Sequence, residues 1–168
     1  MSFEIQVHRA DEATTVWTEF HNVTLDKLGK PLHWTWDSDI PLECMSHAVR
    51  IRSKAEASKI WSNWSLWETV PGLDTSNRSE PQIFPKEKVL AEGSDITLCC
   101  IGGKGQIIKK FSVYPTVYQT IDVFNHTNSQ VRLLTVKNLS HDMGSNIHFY
   151  CRAEDRRLHQ AAFFVGSK

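Results

Sequence analysis

The chain has 168 residues and a formal net charge of zero. That length suits one large domain or two small ones, and neutrality gives no sign of the strongly basic face by which nucleic-acid binders hold phosphates. No apolar run approaches the ~18–20 residues that cross a bilayer, and no basic start followed by an apolar stretch marks a secretory leader.

Taken in chain order, the sequence reads as strands almost throughout. FEIQVHR puts Phe3, Ile5 and Val7 on one face with the two-residue period of a half-buried strand. Thr15 to Leu25 is rich in β-branched and aromatic residues, and Asp26 to Pro31 ends it with Gly and Pro. HWTW sets Trp34 and Trp36 on one side. HAVRIRS alternates, with Val49 and Ile51 against Arg50 and Arg52. Lys54 to Lys59 is too short to hold a helix alone, and SNWSLWETV closes the segment. The following stretch is rich in Pro, Gly, Ser, Thr and Asn, and residues 71–82 read as a linker between two modules. The charge supports this faintly: residues 1–80 hold 8 Lys and Arg against 12 Asp and Glu, and residues 81–168 hold 11 against 7.

Past the linker, Ile96, Leu98 and Cys100 share one phase, as do Ile147, Phe149 and Cys151. Between them QVRLLTVKNL offers either Val131, Leu133 and Thr135 or Leu134 and Val136 as its inner set, and QAAFFVGSK forms a last strand stopped at Gly166. Short strands with turns every 8–12 residues give an all-β fold and a sandwich.

Asn22, Asn63, Asn77, Asn125 and Asn138 all open N-x-S/T sequons. Five in a chain this short fit a secreted protein, so Met1 is expected to open an excised piece of a longer chain rather than a cytosolic one. The four cysteines, Cys44, Cys99, Cys100 and Cys151, contain no CxxC pair, which argues against structural zinc. Cys99 and Cys100 are adjacent and cannot face the same side of a strand.

The most specific string is Trp61-Ser62-Asn63-Trp64-Ser65. Two Trp three residues apart cannot share a face in a flat strand, but a left-handed, polyproline-like twist with three residues per turn aligns them. Arg50 and Arg52, two apart on the preceding strand, are the natural partners: guanidinium planes between indoles give cation–π contacts, and Ser62 and Ser65 can hold the twist through their hydroxyls. The bland alternative is that Trp simply fills a core, as expected for Trp17, Trp34 and Trp36.

WSNWS resembles the WSxWS box of class I cytokine receptors, and HWTWDSDIPLEC, HAVRIRS and IFPKEKVLAEGSDITLCC extend the resemblance to the interleukin-6 family over nearly the whole chain. It implies a fibronectin type III-like module with the box over residues 1–70, the linker 71–82, and an immunoglobulin-like domain over 83–168. Trp61, Ser62, Trp64, Ser65, Arg50 and Arg52 would form a structural ladder. Only about five strands precede the linker where a fibronectin module has seven, so the first module is expected to be incomplete or completed by a neighbouring chain. The resemblance implies no enzymatic activity and no cofactor or metal. It implies a four-helix cytokine such as oncostatin M, or interleukin-31 with another subunit, as ligand. It also implies the common signalling subunit of the family as partner and the extracellular side of a single-pass membrane receptor as location. Trp61/Trp64 and Trp64/Trp67 fit the W-x-x-W pattern that is C-mannosylated in the family.

Within the immunoglobulin-like module the shared phase of Ile96, Leu98 and Cys100 favours a Cys100–Cys151 bridge, with Asp142-Met143-Gly144 as a loose match to the turn before strand F and Phe111 in place of the missing core Trp. Cys44 and Cys99 are then left over and read as buried free thiols. The segment Gly102 to Tyr118 is the expected cytokine contact, with Gly103, Gln106, Ile107, Ile108, Tyr114 and Tyr118 as anchors. Against this stands the reading that Ile107, Ile108 and Phe111 are core residues of the third strand. The alternative functions are an adhesion protein built of the same modules, which would lack the Trp–Arg ladder, and an enzyme. The eight His carry no HExxH or H-x-H spacing, and a nucleophilic Cys151 paired with His148 would need a free thiol.

Overall fold

The computed structural model describes residues 1–9, 16–86, 89–114, 118, 120–122, 129–140 and 146–166. Its chain divides into two units, Met1–Asp37 with Met45–Gly72, and Ser38–Cys44 with Leu73–Lys168.

In the first unit, alternating side chains build β1 (Ser2–Arg9), β2 (Val16–Asn22) and β3 (His47–Lys54), joined by the short β4 (Glu68–Val70). They form one antiparallel sheet in the order β2-β1-β3-β4. Its register sets Ile5 opposite Ile51 and Val7 opposite Val49 on one face, and Glu4 opposite Arg52 and Gln6 opposite Arg50 on the other. Residues 32–41 form no strand, contrary to the reading of HWTW as one. Trp34 and Trp36 instead lie over the apolar face as an irregular cover: Trp34 contacts Phe3 at 5.3 Å and stacks on His21 at 4.9 Å, and Trp36 contacts Trp17 at 5.6 Å. The guanidinium of Arg9, 2% exposed, lies 4.3 Å from the Trp17 ring and donates from Nε to His47 Nε2. A cavity of about 270 Å³ remains between Ile5, Val7, Val49 and Ile51 and the two indoles. Among the described residues of this unit no second sheet closes the sandwich.

The second unit is a β-sandwich. One sheet runs β5 (Gln82–Phe84), β7 (Ile96–Ile101), β10 (Val131–Val136), β9 (Thr120–Asp122). The other runs β6 (Val89–Ala91), β12 (Leu158–Gly166), β11 (Asn146–Ala153), β8 (Ile108–Tyr114). Leu98, Cys100, Leu134 and Val136 from one sheet and Phe111, Ile147, Phe149, Cys151, Phe163 and Val165 from the other make the core. The Leu134/Val136 phase of β10 is therefore the inner one, and Leu133 faces outward beside Cys99. Residues 73–82 are not a free tether: Leu73 N donates to Glu43 O, Pro81 is fully buried, and Gln82 opens β5. No described helix is long and apolar enough to cross a membrane. The fold is thus all-β, a fibronectin type III-like module followed by an immunoglobulin-like sandwich.

Candidate protein-binding surface

The polar face of the first sheet carries a continuous stack. Arg52 Cζ lies 4.8 Å from the Trp61 ring and 4.5 Å from the Trp64 ring, and Arg50 Cζ lies 4.3 Å from Trp64 and 4.5 Å from Trp67. Lys54 Nζ extends it past Trp61 at 5.1 Å, and His8 meets Trp67 at 6.1 Å. The spacing has a simple origin. A polyproline-like rise of ~3.1 Å per residue puts Trp at i and i+3 about 9 Å apart, which leaves room for one planar cation between each pair. The strap is held to β3 by backbone and hydroxyl together. Ser62 N donates to Ser53 O and Ser65 N to Ile51 O, while Ser53 N and Ile51 N donate back to Ser62 Oγ and Ser65 Oγ. From the strand beneath, Glu4 Oε2 accepts from Arg52 Nε and Nη2 at 2.8 and 2.6 Å, and Gln6 Oε1 accepts from Arg50 Nε at 2.8 Å. Sequence reasoning named the Arg pair and the first two Trp. It missed Trp67 and Lys54, whose three- and two-residue spacing from the named rungs was the available signal, and it missed Glu4 and Gln6, whose role depends on register.

The expected cytokine-contact segment divides differently. Gly103, Gln106, Ile108 and Tyr118 are buried and do not form a contact surface. Ile108 is 2% exposed and belongs to the core with Phe111, as the alternative reading had it for these two but not for Ile107, which lies outside that core. Gln106 fastens neighbouring loops: its Oε1 accepts from Gly103 N, and its Nε2 donates to Ser79 O and Asp155 Oδ2. The hydrogen bonds from Gln106 and from Arg157 N hold the Asp155 carboxyl below the usual carboxylate range. At Gly103 a Cβ would stand 2.4 Å from Arg78 O, so the glycine is there for close backbone approach. Tyr118 donates its hydroxyl to Ser140 O. Ile107 is half-buried, and of the six only Tyr114 is well exposed, at 59%.

Tyr114 sits on the outer face of the β8–β11–β12 sheet, and the register gathers the rest of that face around it. His148 lies opposite Tyr114, Tyr150 opposite Ser112, and Arg152 opposite both Lys110 and Leu158. Leu158 and Phe164 are 56% and 42% exposed. Lys110, Ser112, Tyr150, Arg152 and Leu158 line a shallow hollow of about 230 Å³, and neither Lys110 nor Arg152 meets a carboxylate among the described residues. His148 Nδ1 is buried with no hydrogen-bond partner among the described residues.

All four cysteines are bridged, Cys100 to Cys151 through the core and Cys44 to Cys99 on the opposite face of β7. The reading of Cys44 and Cys99 as free thiols is therefore wrong. Their separation of 55 residues placed them in different modules by sequence, but the turn Leu42–Cys44 folds with the second unit and packs on β7. Cys151 has no thiol to offer as a nucleophile. No group of three or more His, Cys, Asp or Glu among the described residues is placed to hold a metal. Asn22, Asn63, Asn77 and Asn138 are exposed. Asn125 and the Asp142-Met143-Gly144 turn lie outside the described residues.

Comparison with known proteins bears on both units. The family model for the leukemia inhibitory factor receptor D2 domain matches residues 1–70, and that for the immunoglobulin-like domain of the same receptor matches residues 83–166. The oncostatin-M-specific receptor subunit beta of Mus musculus is 33% identical over 98% of this chain, and that of Homo sapiens 38% identical over 60%. The leukemia inhibitory factor receptor of Canis lupus familiaris is 29% identical over 98%. The chain spans only 17%, 11% and 14% of these relatives. They are receptors rather than enzymes, and with both modules matched in order the chain belongs to the interleukin-6-family cytokine receptors as an extracellular-type fragment of one.

Proposed function

We propose that this chain is the ligand-binding part of a receptor subunit for a four-helix cytokine, oncostatin M, outside a single-pass plasma-membrane receptor, and that the bound complex recruits the common signalling subunit of the family. The division into a receptor module over residues 1–70, a connecting segment over 71–82 and an immunoglobulin-like module over 83–168 is part of this reading, supported by the two family models. The Trp–Arg ladder of Arg50, Arg52, Trp61, Ser62, Trp64 and Ser65 serves folding, and the ligand docks elsewhere.

The observation that carries the docking site is the outer face of β8–β11–β12, where exposed Tyr114 and Leu158 adjoin two cations that meet no carboxylate among the described residues. Aromatic and Arg anchors beside apolar surface are what a protein interface concentrates its energy in. Tyr114 is retained from the six anchors expected from sequence, and Gly103, Gln106, Ile108 and Tyr118 are set aside as structural. The test is surface binding of oncostatin M to the immobilised chain. Tyr114→Ala with Leu158→Ser is expected to weaken binding at least ~30-fold, the scale of a hot-spot loss of about 2 kcal/mol or more. Tyr118→Phe, which removes only an internal hydrogen bond, leaves affinity unchanged. No binding by the folded wild-type chain overturns the ligand assignment. Unchanged affinity in the double variant overturns the docking face alone.

A further inference from the structure

The three-residue period of the strap over residues 60–67 gives it three edges. The Trp edge stacks on cations, and the Ser edge is hydrogen-bonded to β3. The third edge is Ile60, Asn63 and Leu66, and it points to solvent: Ile60 is 80% and Leu66 88% exposed, with Asn63 exposed between them. Among the described residues Leu66 and Ile60 are the two most exposed of the large apolar side chains, and they lie on a segment that is hydrogen-bonded to β3 along its length. They stand about 9 Å to either side of Asn63 by the rise of such a twist, and Asn63-Trp64-Ser65 is itself a sequon.

We propose that Asn63 carries an N-linked oligosaccharide whose inner sugars lie along the third edge and cover Ile60 and Leu66. The donor is a lipid-pyrophosphate-linked oligosaccharide. Asn63 Nδ2 forms the bond to the anomeric carbon, the bond from that carbon to the pyrophosphate oxygen breaks, the lipid pyrophosphate leaves with the electron pair, and the amide gives up one proton. The folded ladder constrains when this happens. Ser65 Oγ, the hydroxyl of the sequon, accepts from Ile51 N at 2.9 Å and donates to Leu66 O at 3.1 Å. Transfer therefore precedes docking of the strap on β3, and the sugar is in place when the ladder closes.

The inference depends on passage through the secretory pathway and in that respect rests on the receptor reading. The experiment secretes the full chain from animal cells and maps sugar occupancy by mass spectrometry of glycosidase-treated peptides. Occupancy at Asn63 is expected. Asn63→Gln then lengthens retention on a phenyl column beyond the shift given by Asn77→Gln, which removes a sequon without flanking aliphatics, and adding Ile60→Ser with Leu66→Ser to Asn63→Gln cancels the excess. Ser65→Thr keeps both sequon and hydroxyl and remains occupied. Sugar at the other sequons with Asn63 bare overturns this proposal alone, as does equal retention of the Asn63→Gln and Asn77→Gln variants. A secreted chain bare at every sequon overturns it together with the extracellular assignment.

Discussion

Arg52 illustrates how one side chain can carry several obligations. It separates two indoles and forms a two-point hydrogen bond with Glu4, whose residue is only 6% exposed. Removing it forfeits two cation–π contacts and leaves a largely buried carboxylate without its partner. Arg52→Ala is therefore expected to destabilise the first unit by ~2–3 kcal/mol, the lower end of a buried-pair loss because the Arg is partly solvated. Adding Glu4→Gln is expected to recover part of that, because the stranded charge goes with it. Urea unfolding followed by indole fluorescence reads this unit alone, since all six Trp lie between residues 17 and 67. A loss below ~0.5 kcal/mol, the scale of an ordinary surface change, shows the ladder to be dispensable. Asp155 gives a second test at this scale. Its folded carboxyl is held below the usual 3.8, first by the hydrogen bond from Gln106. The associated stabilisation is thus present above pH 3.8 and lost as pH falls through the lower folded value. A carbon NMR titration is expected to find Asp155 below 3.8 and to see Gln106→Leu move it back up. No movement assigns the shift to another cause.

Strands that alternate on a half-buried face were legible because the two-residue period is written directly in side-chain type: Ile147, Phe149 and Cys151 point inward as their phase requires. The ladder was legible for a related reason, since indoles three apart need a three-residue twist and a cation between them. Period alone did not say whether the apolar residues at 107 and 108 pack inward or bind outward. Ile108 is committed to the core by its pairing with Ala153, and the bulge in that pairing lets Lys109 and Lys110 both face solvent on an edge strand. Nor did sequence reveal that β7 has two buried faces. Cys100 lies within the sandwich and Cys99 under the turn Leu42–Cys44, so adjacent cysteines take part in opposite bridges. Each closes a loop of about 50 residues or more, worth ~4 kcal/mol in the loop-entropy description. Cys44→Ala with Cys99→Ala is expected to lower the second unit's stability by about that amount, read by its thermal transition. Thiol titration of the denatured, unreduced wild-type chain is expected to find no free thiol. One or more reactive thiols refutes the Cys44–Cys99 pairing.

At the scale of the whole molecule, the second unit is discontinuous in sequence. Seven residues, Ser38–Cys44, leave the first unit's run of chain and fold with Leu73–Lys168. Their hold is covalent at Cys99 and backbone-bonded through Leu73 N to Glu43 O, and Ile40 and Cys44 are nearly fully buried. The face of β7 and β10 that carries Cys99 also carries Ile101 and Leu133, 3% and 2% exposed. An immunoglobulin-like sandwich cut out at the start of its own continuous sequence would therefore lose the partner of Cys99 and part of the cover of an apolar surface. A fragment spanning residues 73–168 is expected to form disulfide-linked dimers through Cys99 in an oxidising buffer, visible on a non-reducing gel. Cys99→Ser in that fragment is expected to abolish the dimers without restoring the thermal transition seen in the intact chain, because burial as well as the bridge has been lost. If the fragment instead stays monomeric, keeps Cys99 inaccessible to thiol reagents and melts with the intact chain, residues 38–44 are a passenger on the sandwich and the unit is complete from Leu73 onward.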